Sequence, residues 1–267
     1  MGDGVGVKRT VEHQGEAKTP TQRSLTFETP NSRPTADAMQ QFAESSVRYF
    51  PARLFGPLRS AVLSKRPPWA ASGAPNDRNG YNSRMTRDQA IHLLREYVVS
   101  ESLIRHALAV EASMRAYARH LNEDEERWGL VGLLHDFDYE RWPEPPHHTR
   151  EGAIILRGLG VDEEIIEAIL PHAEWNEIPR DTPLKKALFA VDELSGFITA
   201  VAYVRSTRSL MDVDARSVRK KMKDKAFARA VRREDITGGA ELLEVDLDEH
   251  IERCIAALRG VRGELGL

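Results

Sequence analysis

The spacing of apolar residues after residue 85 is the feature that most restricts how this chain can fold. From Thr86 onward, apolar side chains recur every three or four positions, as in AIHLLREY and SLIRHALAV. This period places them on one face of an α-helix, whereas a half-buried strand would alternate apolar and polar residues. Strand patterns are nearly absent. We therefore predict an all-α domain.

Capping residues suggest where the helices begin. The predicted starts are Thr86 or Asp88, Ser100, Asn122, Asp162 and Thr182. A further helix is predicted from near His148 to Leu159, and a last amphipathic helix over LDEHIERCIAALRGV. The basic segment before this last helix receives no predicted helix.

Residues 1–84 differ in composition from the rest of the chain. They contain eight of the 14 prolines, and their 12 Lys and Arg residues outnumber their seven Asp and Glu residues. Their polar and proline-containing stretches show no sustained hydrophobic period. We predict a largely unstructured N-terminal extension over 1–84 and a folded domain over 85–267.

The overall composition is that of an ordinary soluble protein. The net charge of −3 gives no general bias towards nucleic acid or membranes, and we expect neither as a partner. Cys254 is the only cysteine, which excludes an internal disulfide and suits a reducing compartment. With no apolar segment of about 20 residues and no signal-like N-terminus, we expect a cytoplasmic protein. The sequence does not indicate an oligomeric state.

The stretch VGLLHDFDY places His135 and Asp136 side by side at the end of an apolar run. A buried carboxylate without a partner is costly, so either this pair marks a routine helix end or a cation lies beside it. Other candidate ligands fall on or at the end of different predicted helices, as expected for a metal site in a helical bundle. The full set is His106, His135, Asp136, His148, His172 and Asp192.

Most of these residues also have an ordinary structural explanation. His106 follows the apolar face of its helix, and taken alone this placement favours a core or boundary histidine over a ligand. His135 and Asp136 are compatible with a helix terminus, where an imidazole complements the dipole. His148 is compatible with a cap or an exposed ring, and His172 with a C-terminal dipole partner.

Asp192 is the candidate that an ordinary explanation fits least well. It lies inside ALFAVDELSGFI, within one turn of large apolar residues, and a carboxylate in that setting needs a cation or several donors. Imidazole and carboxylate ligands together suit Zn, Fe, Mn or Ni more than Ca.

Four blocks, GLLHDFDYER, HHTREGAIIL, AILPHAE and KALFAVDEL, resemble successive motifs of the HD-domain superfamily of metal-dependent phosphohydrolases. The segment DARSVRKKMKDKAFARAVRRE resembles the tail of a bacterial and archaeal subgroup known only as HD-domain hydrolases. The resemblance covers most of 85–267 and nothing in 1–84. It implies a helical bundle with one or two divalent ions, among Mn, Fe, Ni, Zn or Mg, in its core.

The resemblance also implies a ligand set and an activity. His106, His135, Asp136 and Asp192 would form the basic metal site. In two-metal members, two further histidines at the positions of His148 and His172 join that set. The implied function is cleavage of a phosphate ester, in a nucleotide or a small phosphorylated metabolite, by metal-activated water. Two alternatives remain open: a di-iron oxygenase of the same fold, and a non-catalytic metal-binding module.

Several residues outside the ligand set are candidates for binding or catalysis. Asp138 and Glu140 follow the His-Asp pair and would orient the water or hold a ligand imidazole, although exposed loop carboxylates explain them equally well. The candidates for binding substrate phosphate, or alternatively for a solvated helix face, are Lys185, Arg219, Lys220 and Lys223. The side chains that could line the pocket or an interface are Trp128, Trp142 and Trp175.

Overall fold

Helices are the only regular secondary structure in the described part of the chain. The structure, a computed structural model, describes residues 1–2 and 85–267, and within these ranges it contains no β-strand. The prediction of an all-α fold is confirmed. Among these helices, none combines the length and apolar character needed to cross a membrane. The extension predicted for 1–84 lies outside the described residues, apart from the first two.

The helices follow one another from residue 87 to the C-terminus. They are α1 (Arg87–Tyr97), α2 (Glu101–Leu121), α3 (Glu125–Leu134), α4 (Arg150–Gly158), α5 (Glu163–Ile169), α6 (Pro183–Tyr203), α7 (Ala215–Met222), α8 (Arg233–Leu242), α9 (Leu247–Gly260) and α10 (Arg262–Leu265). Short 3₁₀ turns lie at Leu170–His172, Glu174–Asn176 and Leu210–Asp212.

Side-chain caps define three helix starts where the sequence predicts them. Thr86 caps α1 in a reciprocal capping box with Gln89. The side chain of Asp162 accepts from a backbone amide of α5, and Thr182 does the same for α6, where Pro183 occupies the first position. These caps satisfy amides that have no partner within the first turn.

Two other starts differ from the prediction. Helix α3 is capped by Asp124 rather than Asn122, because Asn122 adopts a left-handed conformation with φ of 56° and ends α2. Asparagine tolerates this conformation better than most residues. Helix α4 begins at Arg150, so His148 precedes the helix instead of starting it.

Helices α7 and α8 lie between α6 and the last predicted helix, where the sequence analysis predicted no helix. On α7 only Ala215 and Val218 are buried, and on α8 only Ile236, Gly239 and Ala240. Such narrow apolar stripes among charged residues carry little periodic signal, so these helices depend on packing against the rest of the bundle.

The two longest helices, α2 and α6, form the centre of the bundle. Helix α2 packs against α3, α6 and α9, and α6 also packs against α8. A Cβ added at Gly132 on α3 would lie 2.9 Å from the Cα of Glu111 on α2, and one at Gly239 would lie 2.6 Å from the Cα of Ala190 on α6. Glycines at these contacts let the backbones approach closely, and the contact of Gly132 brings α2, which carries His106, close to α3, which is followed by His135 and Asp136.

Candidate metal centre

The six predicted ligand residues come together in the interior of the bundle. Each belongs to a different segment, except the adjacent pair after α3. All six are buried, with relative exposures of 8% (His106), 0% (His135), 4% (Asp136), 0% (His148), 5% (His172) and 4% (Asp192). Segments up to 86 residues apart in sequence therefore converge on one site.

The carboxylate of Asp136 lies between two groups of histidines. Its Oδ1 is 3.0 Å from Nε2 of His172 and 3.2 Å from Nε2 of His148. Its Oδ2 is 3.3 Å from Nε2 of His135 and 4.0 Å from Nε2 of His106. The two oxygens of one side chain thus face different pairs of imidazoles.

Asp192 supplies a second carboxylate on one side of this arrangement. Its Oδ1 lies 3.0 Å from Nε2 of His106 and 3.5 Å from Nε2 of His135. Because α6 is buried along most of its length, this carboxylate is held among apolar neighbours with imidazoles as its facing groups.

Hydrogen bonds on the outer nitrogen orient two of the imidazoles. Nδ1 of His135 donates to the carbonyl oxygen of Gly132 at 2.8 Å, and Nδ1 of His172 donates to that of Ile169 at 2.7 Å. A carbonyl oxygen only accepts, so each Nδ1 carries the hydrogen and, in the neutral ring, Nε2 presents its lone pair towards the carboxylates.

Asp138 orients the imidazole of His148 through a hydrogen bond of the same kind. Its Oδ1 accepts from Nδ1 of His148 at 2.9 Å, and its Oδ2 accepts from the backbone amide of Gly152 at 2.9 Å. A Cβ at Gly152 would lie 2.8 Å from Oδ2, so only glycine leaves room for this contact. Asp138 is 1% exposed, which excludes the exposed-loop explanation for this residue.

The carboxylates create a strong local preference for positive charge. Burial on its own lowers the pKa of His135, but Asp136 and Asp192 outweigh it and raise that pKa to about 10. For His148, burial is again opposed by Asp136 and Asp138, and the pKa is raised. A site that binds protons this firmly when metal-free is one where a divalent cation can replace them.

The donor atoms fit a divalent metal ion. Nε2 of His135 and Nε2 of His148 are buried and have no hydrogen-bond partner within the described residues. Three combinations of the six residues place one ligand atom each within 4.8 Å of one another: His106, His135 and Asp136; His135, His172 and Asp192; and Asp136, His148 and His172. Imidazoles and carboxylates this close together are stabilised by positive charge among them, from protons or from a metal ion, and imidazole with carboxylate suits transition metals.

Glu140 contacts the start of helix α2. Its Oε2 accepts from the backbone amides of Val99 and Ser100, at 2.9 and 3.0 Å, at the start of α2. Ser100 is the N-cap residue of α2 but its side chain forms no capping bond, so a carboxylate from 40 residues away satisfies this helix end. Its expected role in orienting water or a ligand imidazole stays a prediction.

The predicted phosphate-binding residues have other contacts in the structure. Nζ of Lys185 lies 2.9 Å from Asp181, and Nη1 of Arg219 lies 3.1 Å from Asp248. Lys220 and Lys223 are exposed at the end of α7. Their proposed phosphate contacts remain predictions.

The tryptophans take up different positions in the structure. Trp128 is a core residue, and Trp142 packs on Tyr97 with ring centroids 6.4 Å apart. Trp175 lies beside the centre, with its ring centroid 5.7 Å from that of His148.

Arg180 is a residue beside the centre that the sequence analysis missed. It lies in the loop between the segments of His172 and Asp192, and its Nε donates to the carbonyl oxygen of Pro171 at 3.1 Å. The one available signal was the position of WNEIPRD between two blocks that carry ligands, because loop residues have no periodicity that would indicate their direction.

Comparison with known proteins gives one match. The family model described as HD domain matches residues 103–196, which contain all six candidate ligands. No curated protein and no solved structure matches the chain. The HD superfamily consists typically of metal-dependent hydrolases. The family match, the helical fold and the buried His/Asp cluster agree, and together they support membership of residues 103–196 in the HD-domain superfamily.

Proposed function

We propose that residues 85–267 form one domain that acts as a metal-dependent phosphohydrolase on a nucleotide or a small phosphorylated metabolite. The main support is the position of Asp136, whose two carboxylate oxygens face different pairs of histidines. A carboxylate in this position is suited to bridge two divalent ions, as in two-metal sites for phosphoryl transfer.

The six residues divide into two ligand groups that share Asp136. One group would hold a metal ion with His106, His135, Asp136 Oδ2 and Asp192. The other would hold a second ion with Asp136 Oδ1, His148 and His172. When bound, divalent ions at these positions would supply the Lewis acidity that activates water at neutral pH and offsets charge on a phosphoryl group.

The chain's own residues prepare this site for an anionic substrate. The Nδ1 atoms of the three histidines at 135, 172 and 148 donate hydrogen bonds to Gly132, Ile169 and Asp138, respectively. These bonds fix the direction of each imidazole before any ion or substrate binds. Burial of the six residues lowers the local dielectric, which strengthens electrostatic interactions with a phosphate group.

A screen of metals against phosphate esters tests this function. The full chain, loaded with Mn, Fe, Ni, Zn or Mg, is assayed on phosphate mono- and diesters with and without a chelator, and its metal content is measured by mass spectrometry. We expect chelator-sensitive hydrolysis. Asp136→Asn should lose both bound metal and activity, whereas Asp181→Asn, at an exposed position, should retain both.

Two results would contradict the proposal. One is the absence of phosphate release with every metal and ester, which would favour a non-catalytic module. The other is iron-dependent consumption of oxygen without phosphate release, which would favour the oxygenase. Full metal content in Asp136→Asn would exclude the bridging role of this carboxylate.

A further inference from the structure

The guanidinium group of Arg180 is held beside two of the candidate ligands. Its Nε donates to the carbonyl oxygen of Pro171 at 3.1 Å, and its Nη2 lies 3.5 Å from the carbonyl oxygen of His172. The guanidinium carbon lies 3.8 Å from the centroid of the Phe189 ring, one helical turn before Asp192 on α6. Arg180 therefore spans from the segment of His172 to the helix of Asp192.

The charge of Arg180 is not neutralised by a direct ion pair. Within residues 85–267 no carboxylate lies at ion-pair distance from it, although it is half-buried. The carboxylates that act on it from a greater distance are those of Glu174, Asp235 and Asp192. Of these, Glu174 and Asp235 contact Arg232 directly. Burial accordingly lowers the pKa of Arg180, although nearby carboxylates partly oppose this effect.

The guanidinium of Arg180 also has N–H donors that no backbone carbonyl of residues 85–267 accepts from. A guanidinium carries five N–H donors in a planar fork. Among residues 85–267, backbone carbonyls accept from Nε and Nη2 only. The stacking on Phe189 and the backbone contacts fix the plane of this fork. A positioned, half-buried cation with unused donors is suited to bind a phosphate group in a bidentate manner.

Trp175 provides an aromatic face beside His148, another of the candidate ligands. Its ring lies 5.7 Å from that of His148, and His148 lies 5.2 Å from His172, the residue whose carbonyl group Arg180 contacts. Trp175 is 37% exposed, so part of the indole remains available to a ligand. Its neighbour Asn176 donates to the carbonyl oxygen of Leu170 at 2.8 Å and thereby anchors the turn.

We propose that Arg180 binds the phosphate of the substrate and that Trp175 stacks on a planar group of the same molecule. A nucleoside phosphate combines these two features, since a base can stack on an indole while the phosphate reaches the guanidinium. This inference rests on the proposed function and assigns its substrate contacts to the loop between α5 and α6.

Ligand binding tests the two residues separately. Titration calorimetry on the metal-containing full chain uses inorganic phosphate and a non-hydrolysable phosphonate analogue of AMP. We expect Arg180→Met to weaken binding of both ligands about 10-fold or more, and Arg180→Lys to restore part of the loss. Trp175→Ala should weaken the AMP analogue about 10-fold and inorganic phosphate less than twofold. Lys186→Met removes one positive charge from α6 as a control and should leave both affinities unchanged.

Each other outcome contradicts the inference. Phosphate affinity within twofold of wild type in Arg180→Met, an equal loss in Lys186→Met, or no binding by the wild type would exclude direct phosphate binding by Arg180. Loss of metal in Arg180→Met would show that the residue instead positions His172. Equal weakening of both ligands in Trp175→Ala would assign that residue to the support of His148.

These experiments distinguish a failure of the proposed hydrolase function from a failure of the Arg180 phosphate site. If the wild type hydrolyses no phosphate ester but binds phosphate in an Arg180-dependent manner, the function is wrong and the anion site stands. If hydrolysis occurs and Arg180→Met binds phosphate normally, the anion site alone is wrong.

Discussion

At the scale of single residues, two carboxylates only two positions apart have unrelated roles. Asp138 is buried and holds Nδ1 of His148, whereas Glu140 turns away and binds the amide groups at the start of α2. Both follow the His-Asp pair in a similar acidic context, so their difference arises from which donors the fold brings to each side chain.

The exchange Asp138→Asn tests the first role. An amide that still accepts from Gly152 would present its NH₂ group to the Nδ1 hydrogen of His148, which disfavours the tautomer required for a ligand. We expect a 10- to 100-fold loss of metal affinity with the helical fold retained, measured by metal titration and circular dichroism.

Glu140→Gln is the matched control for this exchange. It removes the same charge from a carboxylate that caps α2, so metal affinity should remain unchanged while unfolding free energy falls by about 0.3–1 kcal/mol. Equal metal affinities in the two variants would show that Asp138 does not orient His148.

The sequence supports residue-scale predictions unevenly. It identified the six residues that the structure brings together, because an imidazole or carboxylate next to an apolar run stands out. It did not separate Asp138 from Glu140, and it missed Arg180. The contacts of these three residues join segments between 8 and 41 positions apart, and neither helical nor strand periodicity encodes such contacts.

At the scale of elements, the contact between α2 and α3 supports the metal centre. Gly132 lies against the backbone of Glu111, and its own carbonyl oxygen accepts from Nδ1 of His135. The glycine therefore sets both the separation of two helices and the direction of one imidazole.

Gly132→Ala should disturb both features. Its Cβ would meet backbone atoms of α2 at 2.9 Å, and because backbone cannot rotate away, the helices must separate. We expect a loss of about 1–3 kcal/mol in unfolding free energy, measured in urea, and reduced metal content. Gly238→Ala on α8, where a Cβ meets nothing within 4 Å, should be neutral or stabilising by up to about 1 kcal/mol. A similar effect in both variants would indicate a general sensitivity to alanine.

A buried histidine links three other helices. His250 on α9 accepts through Nδ1 from the hydroxyl of Tyr117 on α2 at 2.5 Å and donates through Nε2 to the carbonyl oxygen of Ala190 on α6 at 3.0 Å. Both ring nitrogens are satisfied in the neutral form, and burial lowers the pKa of His250 to about 4.

This lowered pKa predicts a loss of stability in acid. The unfolded chain binds a proton at His250 near pH 6.5, but the folded chain does so only near pH 4, so the contribution is complete above pH 6.5 and is lost as the pH falls to 4. We expect the stability difference between wild type and His250→Gln to shrink by about 3 kcal/mol from pH 7 to pH 4. A difference that is constant across this range would show that His250 titrates normally.

The sequence also predicts elements unevenly. Strong apolar stripes and capping residues indicated α1, α2, α5, α6 and α9. Helix α3 was also predicted, but its cap is Asp124, two residues after the predicted cap Asn122. Helices α7 and α8 were not predicted, because their few buried residues lie among charges and gain helicity from the bundle that they contact.

At the scale of the whole molecule, residues 85–267 contain the helical core and all six candidate ligands. We expect a chain that begins at Met85 to show the same thermal unfolding temperature, within about 2 °C, and the same metal content as the full chain. Calorimetry and mass spectrometry measure these quantities. A clear decrease in either would show that residues 1–84 contribute to the domain.

The metal centre should also link the stability of the whole bundle to metal concentration. The six ligands come from segments between residues 106 and 192, and unfolding would separate them, so a metal ion binds the folded chain far better than the unfolded one. Stability should therefore rise by about 2.7 kcal/mol when free metal reaches 100 times its dissociation constant, and a chelator should reverse the gain.

His135→Ala removes a ligand that both carboxylates face, so its unfolding temperature should depend much less on added metal. Because protons compete with metal for these imidazoles and carboxylates, the gain should also decrease below pH 6. Thermal unfolding of wild type and variant, with and without chelator at pH 7.5 and 5.5, measures each effect. An unfolding temperature of the wild type that does not respond to any divalent ion would mean that the cluster does not bind metal.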